Sequence, residues 1–390
     1  MEPKVAGDST QKADSQASID PSLQKQLWEA LSKIEKFEQC AFLDYPDHLN
    51  SGDHLIWLGS CFYLIETRKA RVTYTSSLVD FNQKELKEKN GNAPIFLQGG
   101  GNLGDIWPDS QKFREKVIQN NHDCPIYIMP QSILFKGEAA LKTARETFNA
   151  HPNLTIFTRD RRSYELSLDY FPKARSILAP DMVFMLAPIL QTFFKKSNDG
   201  KLKFLVRADK ESSGFSIPEG QSFLGFAKED WESYKWLYNG RGKLKELPDF
   251  YKKLPGSVFA VREFWQRGFA KPQRLPARLR WRYLKRFSRI LEAMPNRSQM
   301  LFSWMIAFDA ARQIAECRLL VTDRLHAHMT ACILNVRNGL LANSYHKNEQ
   351  YFFTWQMQQM NSRFLTNDAE IVAFASQNQM PGMNWFRNSH

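Results

Sequence analysis

The sequence predicts an α/β protein in which two Rossmann-like lobes face a central cleft. From about residue 36 onward, short apolar runs typical of strands alternate with amphipathic segments that repeat at the period of a helix. Strands that alternate with helices build βαβ units and parallel sheets. The alternation stops near residue 212 and resumes near residue 300, and a chain of 390 residues is long enough for two domains.

The first lobe is predicted over residues 36–198, behind a disordered tail and a lead-in helix in residues 1–35. The tail is rich in Ser, Gln, Asp and Ala, a composition typical of disorder. Amphipathic helices are expected at Phe113–Gln119 and Glu138–Asn149. The predicted strands are Ala41–Leu43, Arg71–Tyr74, Pro94–Leu97, Pro125–Met129, Leu154–Phe157 and Ser176–Leu178.

The second lobe is predicted over residues 199–364, with strands that begin near Leu202, Leu319 and Leu340. Residues 212–300 form an irregular, basic insertion whose role the sequence does not define. Residues 365–390 follow as a separate segment. Within it, Ala369–Gln377 is a predicted helix and a candidate to cross back to the first lobe.

Polar clusters follow nearly every predicted strand. Because the carboxyl ends of parallel strands share one edge of a sheet, these clusters should converge. A single polar strand end is routine helix capping, whereas a repeated set along one edge predicts a binding site. The clusters are Asp44–Asp53, Gly99–Asp105, Pro130–Ser132, Arg159–Arg162 and Pro180–Asp181 in the first lobe, and Arg207–Asp209, Asp323–His326 and Asn343–Lys347 in the second.

The run Leu319–His328 predicts an anion site in the second lobe. It reads as an apolar strand that ends in Arg324 and His326 and continues into a helix over Met329–Leu334. A helix N-terminus favours anions, and a guanidinium binds carboxylate or phosphate through two hydrogen bonds. The macrodipole disfavours imidazolium, so a neutral His326 is suited to act as a general base. His328 lies on another side of such a helix, and we interpret it as structural.

Arg207 ends a predicted strand in the same lobe and would add a second guanidinium to this site. Two arginines and a histidine in one cleft can neutralise a small dianion or trianion. The alternative for Arg207 is a surface ion pair with Asp209 or Glu211.

The opposite lobe offers groups that hydrogen-bond hydroxyls. Glycines in Gly99–Asp105 allow a ligand close to the backbone, beside Asn102 and Asp105; a tight structural turn is the alternative. Gly99, Gly101 and Gly104 match the G-x-G-x-x-G spacing, but no ribose-binding acid stands at the end of the following predicted strand, which argues against a nicotinamide cofactor. Asp53, which precedes a helix together with Asn50, is interpreted either as an N-cap or as an acid or base that acts on sugar hydroxyls.

Composition narrows the class of protein further. The net charge of +12 fits an anionic substrate, a membrane surface or nucleic acid, but no nucleic-acid reading motif accompanies it. The five cysteines are scattered without a CxxC pair, which predicts buried, reduced thiols and no metal site. No signal peptide is visible, and the longest apolar runs fall short of the roughly 20 residues that span a membrane. We therefore expect a cytoplasmic protein.

Arg278–Met294 is predicted to form a basic amphipathic helix within the insertion. An apolar stripe runs through Ile290 and Met294, and arginine and lysine side chains surround it. One interpretation is a helix packed on the core with a solvated basic face. The other is contact with anionic lipid headgroups at the inner face of the plasma membrane.

These motifs, in this order over about residues 40–360, resemble those of the polysaccharide pyruvyl transferase family. No single motif is specific, but the ordered set is. The family usually carries glycine where this chain has His346. The matching runs are Asn50–Asp53, Gly99–Asp105, Pro130–Ser132, Arg159–Asp160, Ala179–Asp181, Arg207–Glu211, Thr322–His326 and Asn343–Lys347, with Trp355 beyond.

The resemblance implies a fold similar to the two-lobed glycosyltransferase B type. It implies transfer of the enolpyruvyl group of phosphoenolpyruvate to two hydroxyls of a hexose, which gives a cyclic pyruvate ketal and phosphate. The acceptor would be a cell-surface polysaccharide or its lipid-linked precursor, with phosphoenolpyruvate as donor substrate and no cofactor. By the same resemblance, the residues that hold phosphoenolpyruvate are Arg207, Arg324, Leu325 through its backbone, and His326.

With this reaction in view, we assign catalysis to His326, Asp53 and Asp105, and acceptor binding to Asn50, Asn102 and Gln131. Two other readings remain open. A nucleotide-sugar-dependent glycosyltransferase of similar fold would need a pocket for a nucleobase and a diphosphate, which the sequence does not identify. A non-catalytic carbohydrate-binding protein would not need the anion site, because binding a neutral sugar requires no cluster of cations.

Overall fold

A computed structural model of the chain describes residues 21–48, 50–197, 200–206, 227–229, 231, 285–343, 346–357 and 361–376. Within these ranges the chain forms two β-sheets, and all strand pairs in them are parallel. The α/β class predicted from the alternation of strands and helices is confirmed.

The first sheet has the strand order β2-β1-β3-β5-β6-β7, and β4 pairs with β5. The chain leaves β1 towards β2 on one side and then crosses to β3 on the other, so the sheet switches direction between β1 and β3. Ligands of open α/β sheets bind at such a switch point. The strands are β1 (Gln39–Leu43), β2 (Arg71–Ser76), β3 (Ile95–Leu97), β4 (Gly100–Gly104), β5 (Ile126–Leu134), β6 (Leu154–Thr158) and β7 (Arg175–Leu178).

The helices of this part of the chain connect its strands. A π-helical turn at Tyr63–Thr67 extends α2, and a 3₁₀ turn at Met182–Leu186 precedes α7. The helices are α1 (Pro21–Leu31), α2 (Ser51–Phe62), α3 (Gln83–Asn90), α4 (Pro108–Asn120), α5 (Glu138–Ala150), α6 (Arg161–Tyr170) and α7 (Ala187–Phe193). All six strands predicted for the first lobe are present.

The structure differs from the sequence prediction around Pro130–Ser132. These residues were expected after a strand, but they lie inside β5, because β4 pairs with the second half of β5 and prolongs it. The pairing of β5 with β6 shifts register between Ile128 and Gln131. Pro130 sits in this irregularity, where a residue without a backbone N–H is tolerated.

The second sheet has the order β12-β11-β10-β8-β9. It switches direction between β8 and β10. Ligands are therefore expected at the carboxyl ends of these two strands, near residues 206 and 323. Its strands are β8 (Lys201–Leu205), β9 (Ala227–Glu229), β10 (Cys317–Thr322), β11 (Arg337–Leu341) and β12 (Ser362–Leu365). The helices are α8 (Lys285–Ala293), α9 (Arg297–Ala315), α10 (Leu325–Ile333), α11 (Lys347–Thr354) and α12 (Asp368–Ser376).

Two of these helices refine the predictions. Helix α10 begins at Leu325, four residues before the predicted Met329, so His326 lies in its first turn. Helix α12 packs Ile371 and Phe374 against the second sheet. The described part of the last predicted helix therefore belongs to the second sheet.

One hydrophobic core joins the two sheets. Helices α2, α9 and α10 contribute Trp57, Ala311 and Met329 to a single buried cluster, which also contains Phe42 of the first sheet and Leu320 of the second. Alternate strand residues point to the other face of each sheet, away from this shared core. They form one cluster under α4 and α5 and another under α12. The two sheets thus share a layer of helices.

In the described part of the basic segment, Ile290 of α8 and Met294 directly after it are buried in this core, as the predicted stripe requires. Arg289 is exposed, and its Nε lies 4.0 Å from Glu66 Oε1. Residues 278–284 lie outside the described residues.

Candidate active site

The N-terminus of α10 brings the predicted anion-binding residues of the second sheet to the first sheet. Arg324 is the N-cap of the helix, and its backbone N–H donates to Thr322 Oγ1 at 3.0 Å. The Arg324 guanidinium carbon lies 5.7 Å from the centroid of the Trp231 ring. The first backbone N–H groups of a helix have no partner within that helix and are available to an anion. Arg207, predicted to join them, lies outside the described residues.

His326 reaches across to the first sheet. Its Nε2 lies 3.4 Å from Arg159 Nη1 and 3.6 Å from Asp181 Oδ2. The other side of the ring rests on Gly52 in the first turn of α2, where a Cβ would lie 2.3 Å from His326 Nδ1. The His326 side chain is 13% exposed, so the imidazole is not sealed from solvent.

Arg159 and Asp181 form a buried ion pair beneath this histidine. The Nη1–Oδ2 distance is 2.8 Å, and the two side chains are 1% and 0% exposed. Burial raises the pKa of Asp181, but the hydrogen bond and charge of His326 and the charge of Arg159 lower it to about 2 overall. Nε2 without a proton accepts from Arg159, whereas protonated Nε2 pairs with Asp181. The ion pair therefore gives each protonation state of His326 a partner, which suits a group that moves a proton.

Asn50 and Asp53 lie at the start of α2. Asn50 is the N-cap, because its Oδ1 accepts from the N–H of Gly52 at 3.1 Å. Its Nδ2 donates to Asp53 Oδ2 at 2.7 Å, and His48 Nε2 is 3.6 Å from the same oxygen. The interpretation of Asp53 as the N-cap is therefore wrong. Its carboxylate is 27% exposed.

The glycine strand β4 runs between these groups. A Cβ on Gly100, whose φ is +130°, would lie 3.6 Å from Asp53 Oδ1. A Cβ on Gly101 would lie 3.0 Å from Arg159 Nη2 and 3.4 Å from Lys347 Nζ. Because these residues have no side chains, a carboxylate approaches the β4 backbone at Gly100 and two cations approach it at Gly101.

Asn102 and Gln131 belong to a buried network behind β4. Gln131 Nε2 donates to Asn102 Oδ1 at 2.8 Å and to the carbonyl of Gln98 at 2.9 Å. Arg114 Nη2 donates to Asn102 Oδ1 at 2.9 Å, and the side chain of Asn102 also hydrogen-bonds Asp44. These contacts hold Asn102 rigidly, as a binding group needs.

Asp105 lies at the far end of β4. Its carboxylate accepts from the backbone N–H of Lys136 at 2.9 Å and from that of Gly137 at 2.6 Å. These bonds fix the loop that leads into α5. The catalytic role predicted for Asp105 stays a prediction, and its contacts here are structural.

Several residues of this site were named in motifs but given no role from the sequence. They are Asp44, Arg159, Asp181 and Lys347; Arg114, which lies within the predicted helix Phe113–Gln119, also belongs to the site. Only Arg159 and Asp181 carried a usable signal, since opposite charges at the ends of neighbouring strands suggest a pair. His346, where the family usually has glycine, adopts a left-handed conformation with φ 55° at the N-cap of α11. Glycine favours that conformation, so the substitution preserves the turn at some cost in strain.

A second group with catalytic residue types is inert. His328 Nδ1 lies 2.5 Å from Asn338 Oδ1, and Cys332 Sγ lies 3.9 Å from His328 Nε2. All three are buried, and burial raises the pKa of the Cys332 thiol to about 12 and lowers that of His328 to about 4. A thiol in this state is not a nucleophile. All five cysteines are buried with free thiols, as predicted.

The profile of the family described as polysaccharide pyruvyl transferase matches residues 50–345, more than half of the chain. The chain belongs to this family. The match begins at the N-cap of α2 and ends just before α11, so it contains the residues that surround His326. Among the helices of the described ranges, none is long and apolar enough to cross a membrane.

Two similar proteins are named as pyruvyl transferases. "Putative pyruvyl transferase EpsO" of Bacillus subtilis (strain 168) is 29% identical over 86% of this chain and 90% of its own length. "Pyruvyl transferase 1" of Schizosaccharomyces pombe is 26% identical over 82% of this chain and 70% of its own length. A crystal structure of an uncharacterized Klebsiella pneumoniae protein has 17% identity and a TM-score of 0.52, over 88% of this chain and 98% of that one. This likeness shows the fold alone.

Proposed function

We propose that this pyruvyl transferase family member transfers the enolpyruvyl group of phosphoenolpyruvate to two hydroxyls of a hexose and forms a cyclic pyruvate ketal. The hexose would belong to a cell-surface polysaccharide or to its lipid-linked precursor. The observation that carries the proposal is the meeting of His326, on a helix N-terminus, with Arg159 and Lys347 across β4 from Asp53. A cationic half suits the donor, and a carboxylate half suits sugar hydroxyls.

The donor assignment rests on charge. Phosphoenolpyruvate carries a carboxylate and a phosphate, and we assign their binding to Arg324, the backbone of Leu325 and His326, with Arg207 added by the family resemblance. The helix start at Leu325 supplies N–H groups to the anion. In this arrangement the switch points of both sheets face the donor, which is the two-lobed arrangement of a glycosyltransferase B-like fold.

We assign the acceptor to the first sheet. Asn50, Asn102 and Gln131 would bind or position hydroxyls, and Asp53 would accept a hydrogen bond from one of them through its exposed carboxylate. In the reaction one hydroxyl oxygen adds to C2 of the donor while C3 gains a proton and becomes a methyl group. The bond from C2 to the phosphate oxygen then breaks, and the electron pair leaves on phosphate.

The second hydroxyl oxygen then bonds to C2 and closes the ketal ring. The two protons lost by the hydroxyls balance the proton gained by C3 and the one carried away on phosphate. We assign His326 to proton transfer at C3 or at the departing phosphate, because both protonation states of its Nε2 have a partner. The balance needs no further reactant, so no cofactor is part of the proposal.

Calorimetric titration of the purified protein with phosphoenolpyruvate, beside a panel of nucleotide sugars, tests the donor. Arg324→Ala should abolish both binding and phosphate release while the circular dichroism spectrum stays unchanged. Arg363→Ala is the matched control, because Arg363 is an exposed arginine on the outer strand β12 of the same sheet. Saturable binding of a nucleotide sugar in place of phosphoenolpyruvate would replace this proposal by a glycosyltransferase. Binding of neither ligand would favour a non-catalytic carbohydrate-binding protein.

We also propose that the enzyme works in the cytoplasm at the inner face of the plasma membrane, where a lipid-linked acceptor would be found. The exposed Arg289 on α8 and the neighbouring basic residues support contact with anionic lipid. Replacing Arg282, Lys285, Arg286 and Arg289 together by Gln should abolish sedimentation with phosphatidylglycerol vesicles. Unchanged sedimentation of this variant would refute the membrane contact and leave the transferase proposal untouched.

A further inference from the structure

Asp44 occupies an unusual position directly after β1. It lies at the switch point of the first sheet, next to the end of β3, and its φ of 69° places it in the left-handed region. Its N–H donates to the carbonyl of Ser76 at 2.8 Å, which fixes this conformation. Such backbone is costly for residues other than glycine and clusters at functional sites, although Asp tolerates it better than most. The side chain is held at the ligand edge of the sheet.

The surroundings of Asp44 bring the pKa of its carboxyl close to neutral pH. Burial raises the pKa of its carboxyl, the charges of Asp53 on α2 and of Asp47 raise it further, and Arg114 on α4 and the hydrogen bond from Asn102 on β4 lower it. The resulting pKa is about 7, compared with an ordinary value of 3.8. The residue is only 8% exposed, and its hydrogen bond with Asn102 places it beside a residue that we assign to acceptor binding.

We propose that Asp44 is the general base that takes the proton from the acceptor hydroxyl that attacks first. This inference rests on the proposed function. The O–H bond of the hydroxyl breaks, its oxygen bonds to C2 of the enolpyruvyl group, and the π electrons of C2=C3 take up the proton that His326 supplies at C3. Asp44 retains the hydroxyl proton and releases it to solvent or to phosphate as phosphate departs.

The two carboxylates at this edge suit different tasks. Asp53 Oδ2 accepts from Asn50 at 2.7 Å, and its more exposed carboxylate suits hydrogen bonding to a hydroxyl. Asp44 lies deeper, beside Arg114 and Asn102. A base works best when the pKa of its conjugate acid lies near the working pH, and pairs of carboxyls in different environments commonly divide acid–base work in this way.

The competing explanation is that Asp44 only balances the charge of buried Arg114. Glu115 provides the matched control, because it is also buried, faces the same guanidinium and accepts from Gln111 Nε2 at 2.8 Å within α4. A countercharge role would make the two carboxylates equivalent. A catalytic role would single out Asp44.

The test compares Asp44→Asn with Glu115→Gln in the full-length protein. Asn matches Asp in size and tolerates positive φ, so the fold should survive. Phosphate release from phosphoenolpyruvate is measured with a panel of p-nitrophenyl hexosides, and phosphoenolpyruvate binding by calorimetry. We expect Asp44→Asn to lower kcat about 10²–10⁴-fold with the Kd for phosphoenolpyruvate unchanged, and Glu115→Gln to leave kcat nearly unchanged.

The pH profile adds a readout that a structural role would not move. Wild-type kcat should fall as the pH drops below about 7, because Asp44 becomes protonated, and the residual activity of Asp44→Asn should lack this decrease. Carbon-13 NMR of labelled aspartate carboxyls, with Asp44 assigned from the variant, should show a midpoint near pH 7. A midpoint near the ordinary 3.8, or equal losses in Asp44→Asn and Glu115→Gln, would overturn the inference. Failure of the wild-type protein to bind phosphoenolpyruvate would instead overturn the proposed function itself.

Discussion

Gly52→Ala should damage turnover without damaging the fold. Gly52 lies in the first turn of α2, and the imidazole of His326 rests directly against it. A Cβ at this position would lie 2.3 Å from Nδ1, 2.8 Å from Cγ and 3.1 Å from Cε1 of the histidine. The three atoms nearest to the methyl group all belong to one side chain, and that side chain can rotate away.

The size of the displacement follows from these distances. Ordinary contact with a Cβ begins at 3.4 Å, so the ring must move by about 1 Å, which changes the distances between its Nε2 and the side chains of Arg159 and Asp181. A misplacement of about 1 Å in a catalytic group costs roughly 10²-fold in rate. Helix propensity favours Ala over Gly by about 0.5–1 kcal/mol, and a displaced rotamer costs a similar amount. The free energy of unfolding should therefore change by less than about 1 kcal/mol.

Steady-state phosphate release and thermal unfolding measure the two effects separately. The matched control is Gly59→Ala in the same helix, where a Cβ would lie 2.0 Å from the carbonyl oxygen of Met182. That atom belongs to the backbone and cannot rotate away, so Gly59→Ala should lower the Tm substantially, with an overpacking cost of about 1–3 kcal/mol or more. A Gly52→Ala enzyme that keeps kcat within twofold of wild type would show that the position of His326 does not matter to the reaction.

Asp181→Asn should destabilise the protein, because it leaves the Arg159 guanidinium buried without its charged partner. We expect the free energy of unfolding, measured in urea, to fall by about 3–5 kcal/mol, and a fall of less than about 1 kcal/mol would contradict the pairing. Because the pKa of Asp181 is lowered in the folded protein, its carboxylate contributes fully to the free energy of unfolding above pH 3.8, and this contribution is lost as the pH falls through about 2. Wild type should therefore lose stability between these pH values, and Asp181→Asn should lack this part of the loss. The five buried cysteines should not react with Ellman's reagent in the native protein and should all react after unfolding, because burial raises the pKa of thiols such as Cys40 and Cys332 to about 12. Rapid reaction of a thiol in the native protein would show that this thiol is accessible.

Local patterns predicted the strands and the cationic half of the site. Runs such as Leu154–Thr158 are short, apolar and β-branched, and they were found where the pattern placed them. Arg324 and His326 follow directly from a strand that leads into a helix, an arrangement visible in the chain itself. Both the strands and these two site residues could be predicted because they depend on residues that are close together in the sequence.

Features that depend on partners distant in sequence were missed. Strand β4 contains three glycines and has no strand propensity of its own; its pairing with β5 makes it a strand. The early start of α10 depends on the Thr322 hydroxyl, which accepts the N–H of Arg324. The importance of Asp44 arises from a left-handed backbone and from buried charges on other elements, and neither is encoded in a local pattern.

The layer of helices between the sheets limits how the enzyme can move and how it can be engineered. Trp57 on α2 donates to Met300 on α9 at 3.3 Å, and His54 Nδ1 lies 3.0 Å from Ser303 Oγ, both within the buried core. Opening a hinge between the sheets would separate these buried partners, so we expect the two sheets to move little relative to each other. The described parts of both sheets should then unfold in one cooperative transition. The helices that accompany the second sheet pack against α2. A chimera that takes its second sheet from a relative would therefore also need the relative's residues on α2 to remain folded.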